Sequence, residues 1–173
     1  EESDWSSDVC SSDLLEPAGF PVGDAAIRVG LGTAWWPGRF QRVRERPVVV
    51  LDGCHNPAGA AALAEALADA ALPRPRVMVH GSRPEKDVSG VLRRIVPGMD
   101  AVIETSIPGL AEPEDLAAIA RPFVHPGTPV EVIPDAREAV RRAMALVGPR
   151  GSVLVTGSLY LLGSLLRNPP WFP

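Results

Sequence analysis

Five short β-branched runs, each followed by a stretch with helical spacing, constrain this chain more than any other feature. The strand-like runs fall at residues 48–51, 76–80, 101–105, 130–133 and 152–156. Apolar residues recur at helical spacing over residues 58–71, 86–96, 113–120, 135–147 and 158–166. Asn56 and Pro57 suit the N-cap and first position of the first of these helices, and Pro122 stops the third. Val48-Val49-Val50-Leu51 is continuously apolar, as in a strand buried on both faces. Short strands alternating with helices build βαβ units. The expected fold is α/β: a Rossmann-like, mainly parallel sheet with helices on both faces.

The chain has 173 residues, enough for one well-buried domain and too few for two large ones. With 46% apolar and 22% charged residues it has an ordinary globular balance. No basic stripe interleaved with aromatics is present, which argues against nucleic acid as a partner. No apolar run approaches the roughly 20 residues of a membrane helix, and no signal peptide is visible. Cys10 and Cys54 alone make no disulfide framework, so a cytoplasmic setting is expected.

The first residues stand apart. Residues 4–14 read DWSSDVCSSDL, with no apolar period and no turn leading into the next segment. They resemble the translation of a sequencing-library adapter; the other reading is a disordered Ser/Asp-rich tail. Without Asp4, Asp8 and Asp13 the formal net charge moves from −4 to −1. The expected organisation is a non-native or disordered segment over 1–14, a linker and loop over 15–46, the α/β domain over 47–167 and a tail over 168–173.

In open α/β sheets, ligands sit outside the carboxyl ends of the strands. Three strand ends here carry polar residues: Asp52-Gly53-Cys54-His55-Asn56, Gly81-Ser82-Arg83-Pro84-Glu85-Lys86-Asp87 and Thr156-Gly157-Ser158. The topology should bring them onto one edge. A carboxylate at Asp52 can accept from ribose hydroxyls or hold a metal through water; its alternative is a helix-capping or turn residue. His55, at a helix start, can hydrogen-bond a nucleotide, guide an amine, or serve structurally. Lys86 is the only lysine in an Arg-dominated chain, which suits a compact ammonium for a carboxylate or phosphate; its alternative is a solvated first-turn charge. Ser158 opens a helix, either as a plain N-cap or as part of a small anion site. Arg39 sits in a Pro-Gly-Arg turn between Trp36 and Phe40, where a pinned loop can deliver a guanidinium to phosphate; its alternative is a surface arginine on a domain linker. Cys54 reads as a small buried residue and Asp87 as a helix cap.

Several classes lose their signature. The chain has no G-x-x-x-x-G-K-[ST] loop, no G-x-G-x-x-G after the first strand, no zinc-type Cys/His spacing and no G-x-S-x-G elbow.

Taken together, Trp36-Pro37-Gly38-Arg39-Phe40, Leu51-Asp52-Gly53-Cys54-His55-Asn56-Pro57-Ala58-Gly59, Lys86-Asp87 and Val155-Thr156-Gly157-Ser158-Leu159-Tyr160 resemble the C-terminal domain of the folylpolyglutamate synthase/dihydrofolate synthase family, within the Mur ligases. The resemblance covers about residues 15–166. Cys54 stands where the family usually has Ala, and Glu85 departs from its common D-K-D wording.

The resemblance implies an ATP- and Mg²⁺-dependent ligase that turns a folate or dihydropteroate carboxylate into an acyl phosphate. The amine of L-glutamate then attacks, in folate biosynthesis and one-carbon metabolism. It implies a separate N-terminal P-loop domain carrying most magnesium ligands, so that this portion alone is inactive and supplies no metal ligand. Arg39 would contact ATP phosphate, Asp52 the ribose side and His55 the space between nucleotide and glutamate. Lys86 and Ser158 would hold glutamate. Catalytic weight falls on Arg39, His55 and Lys86, in a monomer away from membranes and nucleic acid. The competing readings are another Mur-type amino-acid ligase and a non-catalytic nucleotide-binding module.

Overall fold

A computed structural model describes residue 15 and residues 17–83, 85–107 and 112–172. Segment 1–14, expected to be non-native or disordered, lies outside the described residues, as does Pro84. The chain divides into two compact units, Glu1–Trp36 and Pro37–Pro173.

The first unit contains helix α1 (Asp24–Thr33), in a stretch expected to be linker. Asp24 places a negative charge at its N-terminus and pairs with Arg28 one turn on, at 3.5 Å. None of its residues is buried.

In the second unit, six strands among the described residues form one sheet: β1 (Gln41–Glu45), β2 (Val48–Asp52), β3 (Arg76–His80), β4 (Ala101–Glu104), β5 (Val130–Val132) and β6 (Ser152–Thr156). Their spatial order is β1-β2-β6-β3-β4-β5. Among these strands the β1–β2 pair is antiparallel and the other four pairings are parallel. The helices are α2 (Pro57–Asp69), α3 (Val88–Ile95), α4 (Pro113–Ala120), α5 (Ala136–Val147) and α6 (Leu159–Arg167).

The expected α/β architecture is present, and its two faces show in the core. Val50, Met78, Val102 and Leu154 pack with Leu63, Leu92 and Leu116 of α2, α3 and α4. Their strand neighbours Leu51, Val79, Ile103 and Val153 point the other way, onto Val140 of α5 and Leu161 and Leu165 of α6. Every residue of β2 and β6 is buried, as the continuous apolar runs required.

Several element ends shift by one or two residues from expectation, and two differences bear on the site. The helix expected from residue 86 begins at Val88, because the Asp87 carboxylate caps it by accepting from Gly90 N–H at 2.8 Å. Lys86 therefore lies in the loop before the helix. Within residues 15–46, expected to be linker and loop, β1 extends the sheet at its edge. Its Arg42, Arg44 and Glu45 mask the alternation expected of a strand, and a bulge between Arg42 and Arg44 breaks the register.

The turn before β1 is tied to the end of β2. Phe40 N–H donates to one Asp52 carboxylate oxygen at 2.9 Å and Cys54 N–H to the other at 2.8 Å. Gly53 N–H donates to the Gly38 carbonyl at 2.7 Å. Gly38 has φ +73°, a left-handed conformation that suits glycine.

Asp52→Ala should therefore destabilise the protein by about 2–4 kcal/mol, since two inward-facing N–H groups lose their acceptor. Asp52→Asn, which keeps one carbonyl oxygen, should fall between wild type and alanine. Thermal or urea denaturation followed by circular dichroism measures both; an alanine variant as stable as wild type would remove Asp52 as the tie.

Candidate functional site

The strand order creates the site. β6 lies between β2 and β3, yet the chain leaving β2 enters α2 on one face while the chain leaving β6 enters α6 on the other. Neighbouring strands whose connections part to opposite faces leave a crevice at their carboxyl ends. Three loops border it: residues 53–56 after β2, 157–158 after β6 and 81–87 after β3.

A cavity of about 160 Å³ opens there, lined by His55, Arg83, Lys86, Gly157, Ser158, Leu159 and Tyr160. His55, Lys86 and Ser158, singled out from the sequence, thus meet in one place. The His55 Nδ1 lies 2.8 Å from the Gly53 carbonyl, which can only accept, so Nδ1 carries the proton. That fixes the ring and leaves Nε2 as its other polar atom. Asn56 caps α2, its side-chain oxygen accepting from Gly59 N–H at 2.7 Å, and so holds His55 at the helix entrance. Lys86 is exposed and has no ion pair among the described residues. Ser158 is 4% exposed; its hydroxyl accepts from Tyr160 N–H at 3.1 Å, so it caps α6 while bordering the cavity.

Arg39 and Asp52 occupy the adjoining end of β2. Asp52 is buried, with both oxygens engaged by backbone N–H groups of the loops it joins. Arg39 is exposed on the loop that Asp52 holds. Burial pushes the Cys54 thiol up to about 11, with a hydrogen bond to the Asn56 backbone drawing it down, the charge of Asp52 raising it and that of Arg39 lowering it. Cys54 is therefore a protonated, buried thiol at neutral pH, in keeping with a packing role. The influence of Arg39 on it also sets the guanidinium within electrostatic reach of the 53–56 loop.

Sequence reasoning gave no role to Arg83, Leu159 or Tyr160. The Arg83 guanidinium pairs with Glu85 at 2.5 Å and lies 5.8 Å from the centre of the Tyr160 ring. It also missed a polar row. The last rung of the sheet pairs Asp52 with Thr156, Thr156 with His80 and His80 with Glu104. All four are buried. The available signal was an ionisable residue closing an apolar strand, the pattern that identified Asp52.

Among the described residues, no helix is long and apolar enough to cross a membrane. Nor does any group of three or more His, Cys, Asp or Glu side chains stand together to hold a metal ion, so the described residues do not by themselves fit a Mg²⁺ site.

Residues 38–159 match the family model for the Mur ligase, glutamate ligase domain. A probable bifunctional folylpolyglutamate synthase/dihydropteroate synthase of Halobacterium salinarum is 39% identical over 140 residues, covering 80% of this chain and 17% of that protein. The dihydrofolate synthase/folylpolyglutamate synthase of Mycobacterium tuberculosis is 34% identical over 154 residues, covering 80% of this chain and 31% of that protein. Among solved structures, M. tuberculosis folylpolyglutamate synthase complexed with ADP and AMPPCP superposes with a TM-score of 0.79 at 31% identity, over 93% of this chain and 38% of that one. The chain thus spans well under half the length of these relatives. It belongs to the Mur ligase family, as a glutamate ligase domain similar to those of the folylpolyglutamate synthases.

Proposed function

We propose that this chain acts as the C-terminal lobe of an ATP-dependent ligase that joins L-glutamate to dihydropteroate or folates through an acyl phosphate. The observation that carries the reading is the meeting of His55, Lys86 and Ser158 around one small cavity, beside a loop that presents Arg39. At about 160 Å³ the cavity is well below the roughly 300–1,000 Å³ of pockets for drug-sized ligands, and so suits an amino acid better than a nucleotide. The relatives include enzymes of this activity, one solved with ADP and AMPPCP.

In this reading Lys86 pairs with a glutamate carboxylate, and the α6 N-terminus with the Ser158 hydroxyl takes up an oxygen of the same molecule. The cavity holds the amine in place; effective concentration and alignment, rather than covalent help, accelerate its attack. His55, its ring held through Nδ1, borders the same cavity, where it orients the amine between nucleotide and amino acid. Arg39 contacts the ATP phosphates and stabilises charge on the transferring phosphoryl group. Asp52 belongs to the ribose side of the nucleotide, and its carboxylate keeps the Arg39 loop against the end of β2. A P-loop lobe supplies the rest of the nucleotide site, including the Mg²⁺ ligands. Closure of the two lobes excludes water from the acyl phosphate. The ligase works as a monomer in the cytoplasm.

The test is an ADP-release assay of the complete ligase with ATP, L-glutamate and either dihydropteroate or a folate. Turnover with a muramyl substrate instead would favour another Mur-type ligase. Calorimetric titration of ATP into the present chain alone should give little or no heat; tight binding would favour a self-sufficient nucleotide-binding module. Lys86→Ala should raise the KM for glutamate by about 10–100-fold, the loss of one charge-assisted contact, with a smaller change in kcat. Arg39→Ala should lower kcat by roughly 10²–10³-fold, as for loss of one transition-state donor, while the KM for glutamate moves little. Steady-state kinetics on both variants reads these outcomes, and a reversal of the two patterns would reassign the residues.

A further inference from the structure

Beneath the cavity lies a buried, hydrogen-bonded polar pair that the proposed reaction does not use. His80 and Glu104 close β3 and β4, sit opposite each other in register and are both fully buried. The His80 Nδ1 lies 2.6 Å from a Glu104 carboxylate oxygen, a short hydrogen bond. The Nδ1–H donates to that oxygen, which fixes the ring and turns its other edge towards β6. A Cβ built on Gly157 would meet His80 Cδ2 at 2.6 Å and Nε2 at 2.7 Å, so the ring lies directly against the glycine. Gly157 has φ +107° and precedes Ser158, the cap of α6 at the cavity wall.

Stability alone does not account for the pair. A buried polar pair gains little over apolar residues of similar size, and often loses. The preceding residues of β3 and β4, Val79 and Ile103, show that these strands accept aliphatic side chains. The second Glu104 oxygen, His80 Nε2 and the Thr156 hydroxyl also have no hydrogen-bond partner among the described residues. Buried polar atoms in this condition call for a reason other than packing.

We propose that His80 is a positioning residue for the amino-acid cavity: oriented by Glu104, its ring is the shelf on which Gly157 rests, and so sets where Ser158 presents its N–H and hydroxyl. The inference rests on reading that cavity as the amino-acid site. Removing the pair lets the 157–158 backbone settle into the space beneath it. Binding of the amino acid then weakens, while phosphoryl transfer, governed from the Arg39 side, is largely spared.

The experiment is steady-state kinetics on the complete ligase. His80→Val combined with Glu104→Val removes both polar groups together, so that neither is left buried without its partner. The double variant should fold, yet raise the KM for the amino acid about ten-fold, with kcat and the KM for ATP within about three-fold of wild type. His80→Gln can still donate to Glu104 with a side chain of similar reach, and should bring the KM back to within about three-fold of wild type. A merely structural role would shift the melting temperature and leave the KM split unmoved; that result, or failure of rescue by glutamine, overturns the proposal. Should the valine pair not fold, the near-isosteric Glu104→Gln replaces it, with a KM rise of about three-fold expected and an unchanged KM overturning the proposal. Lys86→Ala separates the two readings. If it raises the KM while the His80 variants do not, the shelf is wrong and the cavity assignment stands. If it leaves the KM unchanged, the cavity assignment fails and this inference fails with it.

Discussion

Everything at the site depends on one constraint of chain path: β6, the last strand in sequence order, is inserted between β2 and β3. Parallel strands cannot be joined by tight turns, so each must hand on to a helix on one face or the other. Because α2 and α6 take opposite faces, the chain segments that leave β2 and β6 part at the carboxyl ends of the two strands. The gap between them has to be bordered by loops, and loops free of packing duties can carry polar side chains. His55, Lys86 and Ser158 come from three segments far apart in sequence, and this crossing is what makes them neighbours.

Around that gap the structure places its polar groups in two layers with different tasks. The outer layer is partly exposed: His55 fixed through Gly53, Lys86 before the α3 cap, and Arg39 on its turn. The inner layer is buried in the sheet: Asp52, Thr156, His80 and Glu104 along one rung. Asp52 shows what the inner layer contributes. Its two oxygens satisfy two backbone N–H groups from different loops, and so transmit the rigidity of β2 to the loop that holds Arg39. A buried carboxylate held by backbone donors is a precise, low-entropy tie, because neither partner has to be ordered from a flexible side chain. His80 and Glu104 occupy the equivalent place under the 157–158 turn.

The fold was largely readable because its strands are buried on both faces. A strand such as β2 or β6 is apolar along its middle, and β-branched runs bounded by turns show this without any neighbour. Caps were readable for the same local reason: Asn56, Asp87 and Ser158 satisfy N–H groups within a few residues. β1 was not readable, since an edge strand is held by pairing with β2 and its charged residues carry no apolar period. Asp52 was legible as a functional-edge residue, but its bonding to Phe40 joins positions on two different loops and no local pattern encodes it.

The amino-acid sequence by itself determined the alternation of strands and helices, the polar strand ends and the membership of the 38–159 segment in its family, because these rest on residue type and short-range spacing. Tertiary structure alone decided which polar strand ends touch. The register of β3, β4 and β6 set His80 against Glu104 and the His80 ring beneath Gly157, while the crossing of β6 closed the cavity between loops far apart in sequence. Strand order and register are long-range properties, fixed by how two apolar faces pack across a whole sheet, and no window of neighbouring residues contains that information.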